Sequence, residues 1–181
     1  MVVLTVDPGL AGCGCAWWSL SASRWSLLRA AFAPAAPLEA GAARGAVWMA
    51  AVDGVRRAAA AVPPPGVVAV EAMQVYVRGK GDPADLIALA AVGGGVLAAF
   101  PAARPVAVLP AEWKGQVPRD VMGERVAGKL RGERPLPAGV DAAWSAVAVP
   151  PRKTHLNDVL HAVGIGLYLF ERGGLPEGVL A

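Results

Sequence analysis

The chain has 181 residues, 55% of them hydrophobic, and a formal net charge of +3. That length suits one domain burying roughly 70% of its unfolded surface, and no uninterrupted apolar run reaches the ~18 residues a membrane helix needs. No basic segment precedes an apolar run at the N-terminus, so a soluble cytoplasmic protein without a secretory signal is expected. Cys13 and Cys15, one residue apart, are too close for an easy disulfide and match no zinc pattern, so they read as small apolar strand residues. Arg supplies 13 of the 17 basic residues, which suits phosphate contacts without demanding them. Asn occurs once and Gln twice, while Pro occurs 16 times, a balance that fits a thermophilic source or a GC-rich genome.

In chain order, residues 1–7 read as a buried strand, and Pro8-Gly9 with Gly12 and Gly14 turns the chain into a second strand over 13–19. A third strand over 24–32 completes an antiparallel meander. Ala42 to Ala61 carries Val47, Ala51, Val55 and Ala58 at helical spacing, and Pro63-Pro64-Pro65-Gly66 ends that helix. A strand over 67–71, an apolar helix over 83–100 and a strand over 105–109 imply a parallel segment. Residues 110–154 hold a helix over 120–130 and a Pro/Gly-punctuated stretch of loops from Gly132 to Pro151. The last helix spans 155–170, with Leu156, Val159, Leu160, Val163, Leu167 and Phe170 as its apolar stripe. One domain over 1–172 and a frayed tail over 173–181 are expected.

The chemistry concentrates at strand ends. Asp7 closes Val2-Val3-Leu4-Thr5-Val6, and Glu71 closes Val67-Val68-Ala69-Val70. A carboxylate buried there costs free energy unless a cation meets it, and a divalent ion between two of them turns repulsion into coordination. In His155-Leu156-Asn157-Asp158 the i, i+3 spacing sets His155 and Asp158 on one helix face. His161 lies about 240° around the helix from His155 and is assigned to packing or surface.

Val2 to Gly14 (VVLTVDPGLAGCG), Val67 to Glu71 (VVAVE) and His155 to Leu160 (HLNDVL) resemble, in order, the signature segments of RuvC-like Holliday junction resolvases. The similarity is strongest to phage-encoded members and extends to a thermophilic host. The resemblance implies an α/β ribonuclease H-like fold, with a five-stranded mixed sheet of three antiparallel strands followed by parallel ones, flanked by helices. It further implies a homodimer that nicks four-way or other branched DNA in paired symmetric cuts, with no membrane partner. Asp7, Glu71, His155 and Asp158 would be its catalytic metal ligands, holding two Mg²⁺ ions per site, with Mn²⁺ as the alternative because His155 adds a nitrogen where many members have Asp.

Gly12 and Gly14 come about two residues earlier than is usual in that family, and Gln74 falls near the position of the family's aromatic residue, leaving Tyr76 as the nearest aromatic. Tyr76, Arg78, Lys80, Lys114, Arg119, Lys129, Arg152 and Lys153 are the expected DNA contacts. Arg125 and Arg131 lie on or beside the same helix as Lys129. Gly93-Gly94-Gly95 inside an apolar helix, at about 1 kcal/mol each relative to Ala, calls for compensation through close approach at a dimer interface or under the sheet of the same subunit. An actin-like or sugar-kinase ATPase would need a second domain. A non-catalytic junction-binding module would not need four competent ligands, and a related nuclease acting on RNA or other branched DNA differs only in substrate.

Overall fold

The computed structural model describes residues 1–21, 24–73 and 82–172. Its elements are β1 (Val2–Asp7), β2 (Gly12–Ser21), β3 (Arg24–Pro34), α1 (Arg44–Ala59), β4 (Val67–Glu71), α2 (Pro83–Ala98), β5 (Arg104–Val108), α3 (Pro110–Trp113), α4 (Arg119–Leu130), β6 (Val140–Asp141) and α5 (Lys153–Glu171). They build one six-stranded sheet in the order β5-β4-β1-β2-β3-β6. The meander β1-β2-β3 is antiparallel, and β4 and β5 add to it in parallel through β1. The sheet therefore has one strand more than expected: β6, a two-residue strand that pairs in parallel with Trp25 and Ser26. It lies inside the Gly132 to Pro151 stretch read as loop, and two residues are too few for a period-2 pattern to show. The expected tail at 173–181 lies outside the described residues. Among the described residues no helix is long and apolar enough to cross a membrane.

Strand alternation sorts the side chains into two cores. Leu4, Val6, Cys13, Cys15, Trp17, Val68 and Val70 point to the face covered by α1 and α2. Burial pushes the Cys13 thiol up to about 12, in keeping with the apolar role read from the sequence. Val3, Ala16, Trp18, Val67 and Ala69 point to the opposite face, where α5 packs with α4 beside it. By the same parity Asp7 and Glu71 face α5. Val6 pairs with Val70, so the two carboxylates that follow end up on neighbouring parallel strands.

Small residues and one hydroxyl fix how α5 lies on the sheet. Thr5 donates a buried hydrogen bond to the Ala162 carbonyl oxygen at 2.7 Å, and Trp18 Nε1 donates to the Thr5 hydroxyl at 3.2 Å. Gly14 pairs with Asp7 in the β1-β2 register, and a Cβ on it would overlap the Asp158 backbone carbonyl. A Cβ on Gly166 would likewise overlap the Trp18 indole. In α2, a Cβ on Gly93 would sit 3.2 Å from Val70 Cγ1 and one on Gly95 2.8 Å from Val52 Cγ2, so packing within the subunit accounts for both. Gly94 faces outward. Gly14→Ala would place a methyl group against backbone that no rotamer change can move, and about 1–3 kcal/mol of destabilisation is expected in urea unfolding.

Candidate metal centre

Asp7 and Glu71 end adjacent strands at 7% and 6% exposure. Immediately after β5, Pro110 starts α3 alongside Glu71, which pairs with Val108 in the sheet. That single helical turn delivers Trp113 and Lys114 to the Glu71 carboxylate. Trp113 Nε1 donates to Oε2 at 3.0 Å, and the Lys114 ammonium donates to Oε1 at 2.9 Å and Oε2 at 3.2 Å. Burial still holds the Glu71 carboxyl above the usual carboxylate range, and the Asp7 charge adds to the rise against the opposing pull of Lys114.

From α5 comes His161, 1% exposed. Its Nε2 lies 2.9 Å from the Arg119 carbonyl oxygen, which can only accept, so Nε2 carries a proton, and in the neutral imidazole Nδ1 is then the nitrogen with a lone pair. Nδ1 lies 3.3 Å from Asp7 Oδ2, an atom fully buried and without a hydrogen bond. The indole of Trp113 meets the imidazole edge to face, ring centres 5.3 Å apart, and closes that side. Donor atoms of Asp7, Glu71 and His161 all lie within 4.8 Å of one another. Two carboxylates and an imidazole nitrogen converging on one point, one oxygen having no hydrogen bond, fit a divalent cation such as Mg²⁺ or Mn²⁺. Asp158, one turn before His161, borders the centre with its carboxylate paired to the Arg119 guanidinium, which also approaches Asp7 Oδ2 at 3.9 Å.

No protein-family model and no curated protein matches the sequence. Among solved structures, Thermus thermophilus RuvC superposes with a TM-score of 0.59 at 20% identity, covering 96% of this chain and 97% of that one. T. thermophilus RuvC in complex with Holliday junction substrate gives 0.60 at 20% identity, with 96% of each chain covered. The yeast mitochondrial Holliday junction resolvase gives 0.54 at 10% identity, over 94% of this chain and 82% of that one. The fold is ribonuclease H-like. At these identities the likeness speaks for the fold, and chemistry has to be argued from the residues.

Within this ribonuclease H-like frame the expected site residues separate. Asp7, Glu71 and Asp158 gather at one end of the sheet, whereas His155 stacks on Phe32 with ring centres 3.9 Å apart and planes 3° from parallel. The imidazole beside the carboxylates is that of His161, which sequence reading assigned to packing or surface. At 100° per residue, His155 and His161 stand about 60° to either side of Asp158. The pattern His-x-x-Asp-x-x-His was a usable signal, and only the docking of α5 decides which side turns inward.

Of the expected DNA contacts, Tyr76, Arg78 and Lys80 lie outside the described residues. Lys114 and Arg119 face the centre's carboxylates, and Lys129 pairs with Glu171 at 3.1 Å. Arg152 and Lys153 are exposed at the start of α5.

Replacing one of two adjacent carboxylates by an amide removes their repulsion. Asp7→Asn is therefore expected to raise the thermal midpoint of the metal-free protein, by about 1 kcal/mol in stability, and to bring the Glu71 pKa down towards its ordinary value. Calorimetry in EDTA and NMR titration of the Glu71 carboxyl carbon check the two parts.

Proposed function

We propose that the protein is a divalent-metal-dependent endonuclease that resolves four-way DNA junctions by paired symmetric nicks, leaving 5′-phosphate and 3′-hydroxyl ends. The observation that carries this reading is the convergence of Asp7, Glu71 and His161 on one point, with a buried Asp7 oxygen that has no hydrogen bond facing the His161 Nδ1. The shared fold with T. thermophilus RuvC, which has been seen with Holliday junction substrate, points the chemistry towards branched DNA.

Asp7 and Glu71 would hold the ion, and Asp158 would join them or hold a second one. For the imidazole ligand the geometry favours His161 over His155, since His161 alone of the two stands beside both carboxylates. The ion, once bound, supplies Lewis acidity that activates a water and stabilises the leaving oxygen. The chain does the rest. The Arg119 carbonyl keeps the His161 lone pair inward, Trp113 excludes water from that side, and Lys114 and Arg119 bring positive charge to the carboxylates where a scissile phosphate would approach.

A labelled immobile junction, the matched duplex and the single strand, each with Mg²⁺, Mn²⁺ or EDTA, test the activity. Symmetric paired nicks in the junction alone are expected, with Mn²⁺ at least as effective as Mg²⁺ because of the nitrogen ligand. Asp7→Asn should abolish cleavage while junction binding persists. Cleavage of duplex as fast as junction would end the resolvase reading.

Paired cuts require two sites, and α2 offers a surface for a second copy. Its outward side carries Ile87, at 65% exposure, with Ala90, Gly94 and Ala98 along the same stripe. Small residues there would let two helices approach closely. Ile87→Glu is expected to shift sedimentation from dimer to monomer and to uncouple the paired nicks. A monomeric wild-type protein would remove this part of the proposal.

A further inference from the structure

Beside Trp113, α4 and α5 frame a cleft of about 260 Å³ whose lining does not include Glu71. Each helix lines it with one continuous face. Met122, Arg125, Val126 and Lys129 come from α4, and Gly164, Leu167, Tyr168 and Glu171 from α5, both in the i, i+3, i+4, i+7 spacing. Val126, Gly164 and Leu167 are buried and form an apolar floor. Two aromatic side chains, Trp113 and Tyr168, stand in the walls, each half-buried.

The rim is cationic. Lys129 is already paired with Glu171, but Arg125 and Arg134 are exposed and have no carboxylate partner within ion-pair distance among the described residues. Trp113 cannot leave its place easily. A Cβ on Gly164 would run into its six-membered ring, so the indole fills the notch that this glycine leaves, while its Nε1 is tied to Glu71. One indole thus borders both the carboxylate cluster and the cleft.

We propose that this cleft receives a single unstacked nucleotide of a DNA strand, its base against Trp113 and Tyr168 and its phosphates on Arg125 and Arg134. Aromatic walls over an apolar floor take the face of any base, and paired guanidiniums at the rim take phosphate oxygens. The volume lies below the roughly 300–1,000 Å³ of pockets that enclose a drug-sized ligand, which suits one partly exposed nucleotide better than stacked bases. The proposal extends the DNA-directed reading above but does not require cleavage.

The experiment uses the full chain in EDTA, so its failure is separate from failure to cut a junction. A thymidine oligonucleotide carrying 5-iodouracil is irradiated with the protein, and cross-linked peptides are mapped by mass spectrometry. Cross-links at Trp113 or Tyr168 are expected, and cross-links confined to other parts of the chain overturn the proposal. In parallel, fluorescence anisotropy compares the same oligonucleotide with an all-abasic strand of equal length. Tyr168→Leu should weaken the thymidine strand roughly 5- to 150-fold and leave the abasic strand unchanged. Equal effects on both strands, or none on either, would show that only phosphates are read and would overturn the base-binding claim. Should Tyr168→Leu fail to fold, the cross-link map of the unaltered protein decides alone.

Discussion

Two carboxylates buried side by side at the ends of β1 and β4 set the terms for everything at that end of the sheet. Burial, with the Asp7 charge beside it, lifts the Glu71 carboxyl above its ordinary range. The surrounding elements answer this with donors and cations. α3 brings an indole N–H and an ammonium to Glu71, and the first residue of α4 brings a guanidinium to Asp158 and towards Asp7, while α5 sets the His161 imidazole 3.3 Å from Asp7. One Asp7 oxygen is still without a hydrogen bond, so the cluster is not closed on itself and its donor set fits a divalent cation.

The sheet does the positioning. Period-2 alternation turns Asp7 and Glu71 to the same face as Thr5 and Ala69, and α5 covers that face under a hydrogen bond from Thr5 to the residue after His161. Side-chain chemistry and helix docking are thereby tied together. The hydroxyl that fixes the helix sits two residues before the carboxylate that the helix completes, on the same strand.

Much of this was legible in the chain, and the reasons differ from element to element. β1 and β4 declared themselves through short β-branched runs closed by an acid, and the proline and glycine punctuation separated the helices. Asp158 was readable from its spacing to His155. His161 was not, because Asp158 has a histidine about 60° to either side and no rule of period tells which one the sheet will face. Trp113 was equally hidden as a partner of Glu71, since α3 is a single turn and shows no periodicity. The Gly93-Gly94-Gly95 run carried a mixed message: two of its members serve contacts with Val70 and Val52 inside the subunit, and only Gly94 is turned outward.

The contacts that seat α5 rest largely on atoms that are missing. At Gly14, Gly164 and Gly166 the helix, the sheet and the Trp113 indole come together because no Cβ stands between them. Such a contact has no side-chain chemistry of its own, so it leaves only a glycine as its trace. The path of the α5 backbone over the sheet is therefore tied to three positions without side chains, and a methyl group at any of them would have to push the helix, the strand or the indole aside.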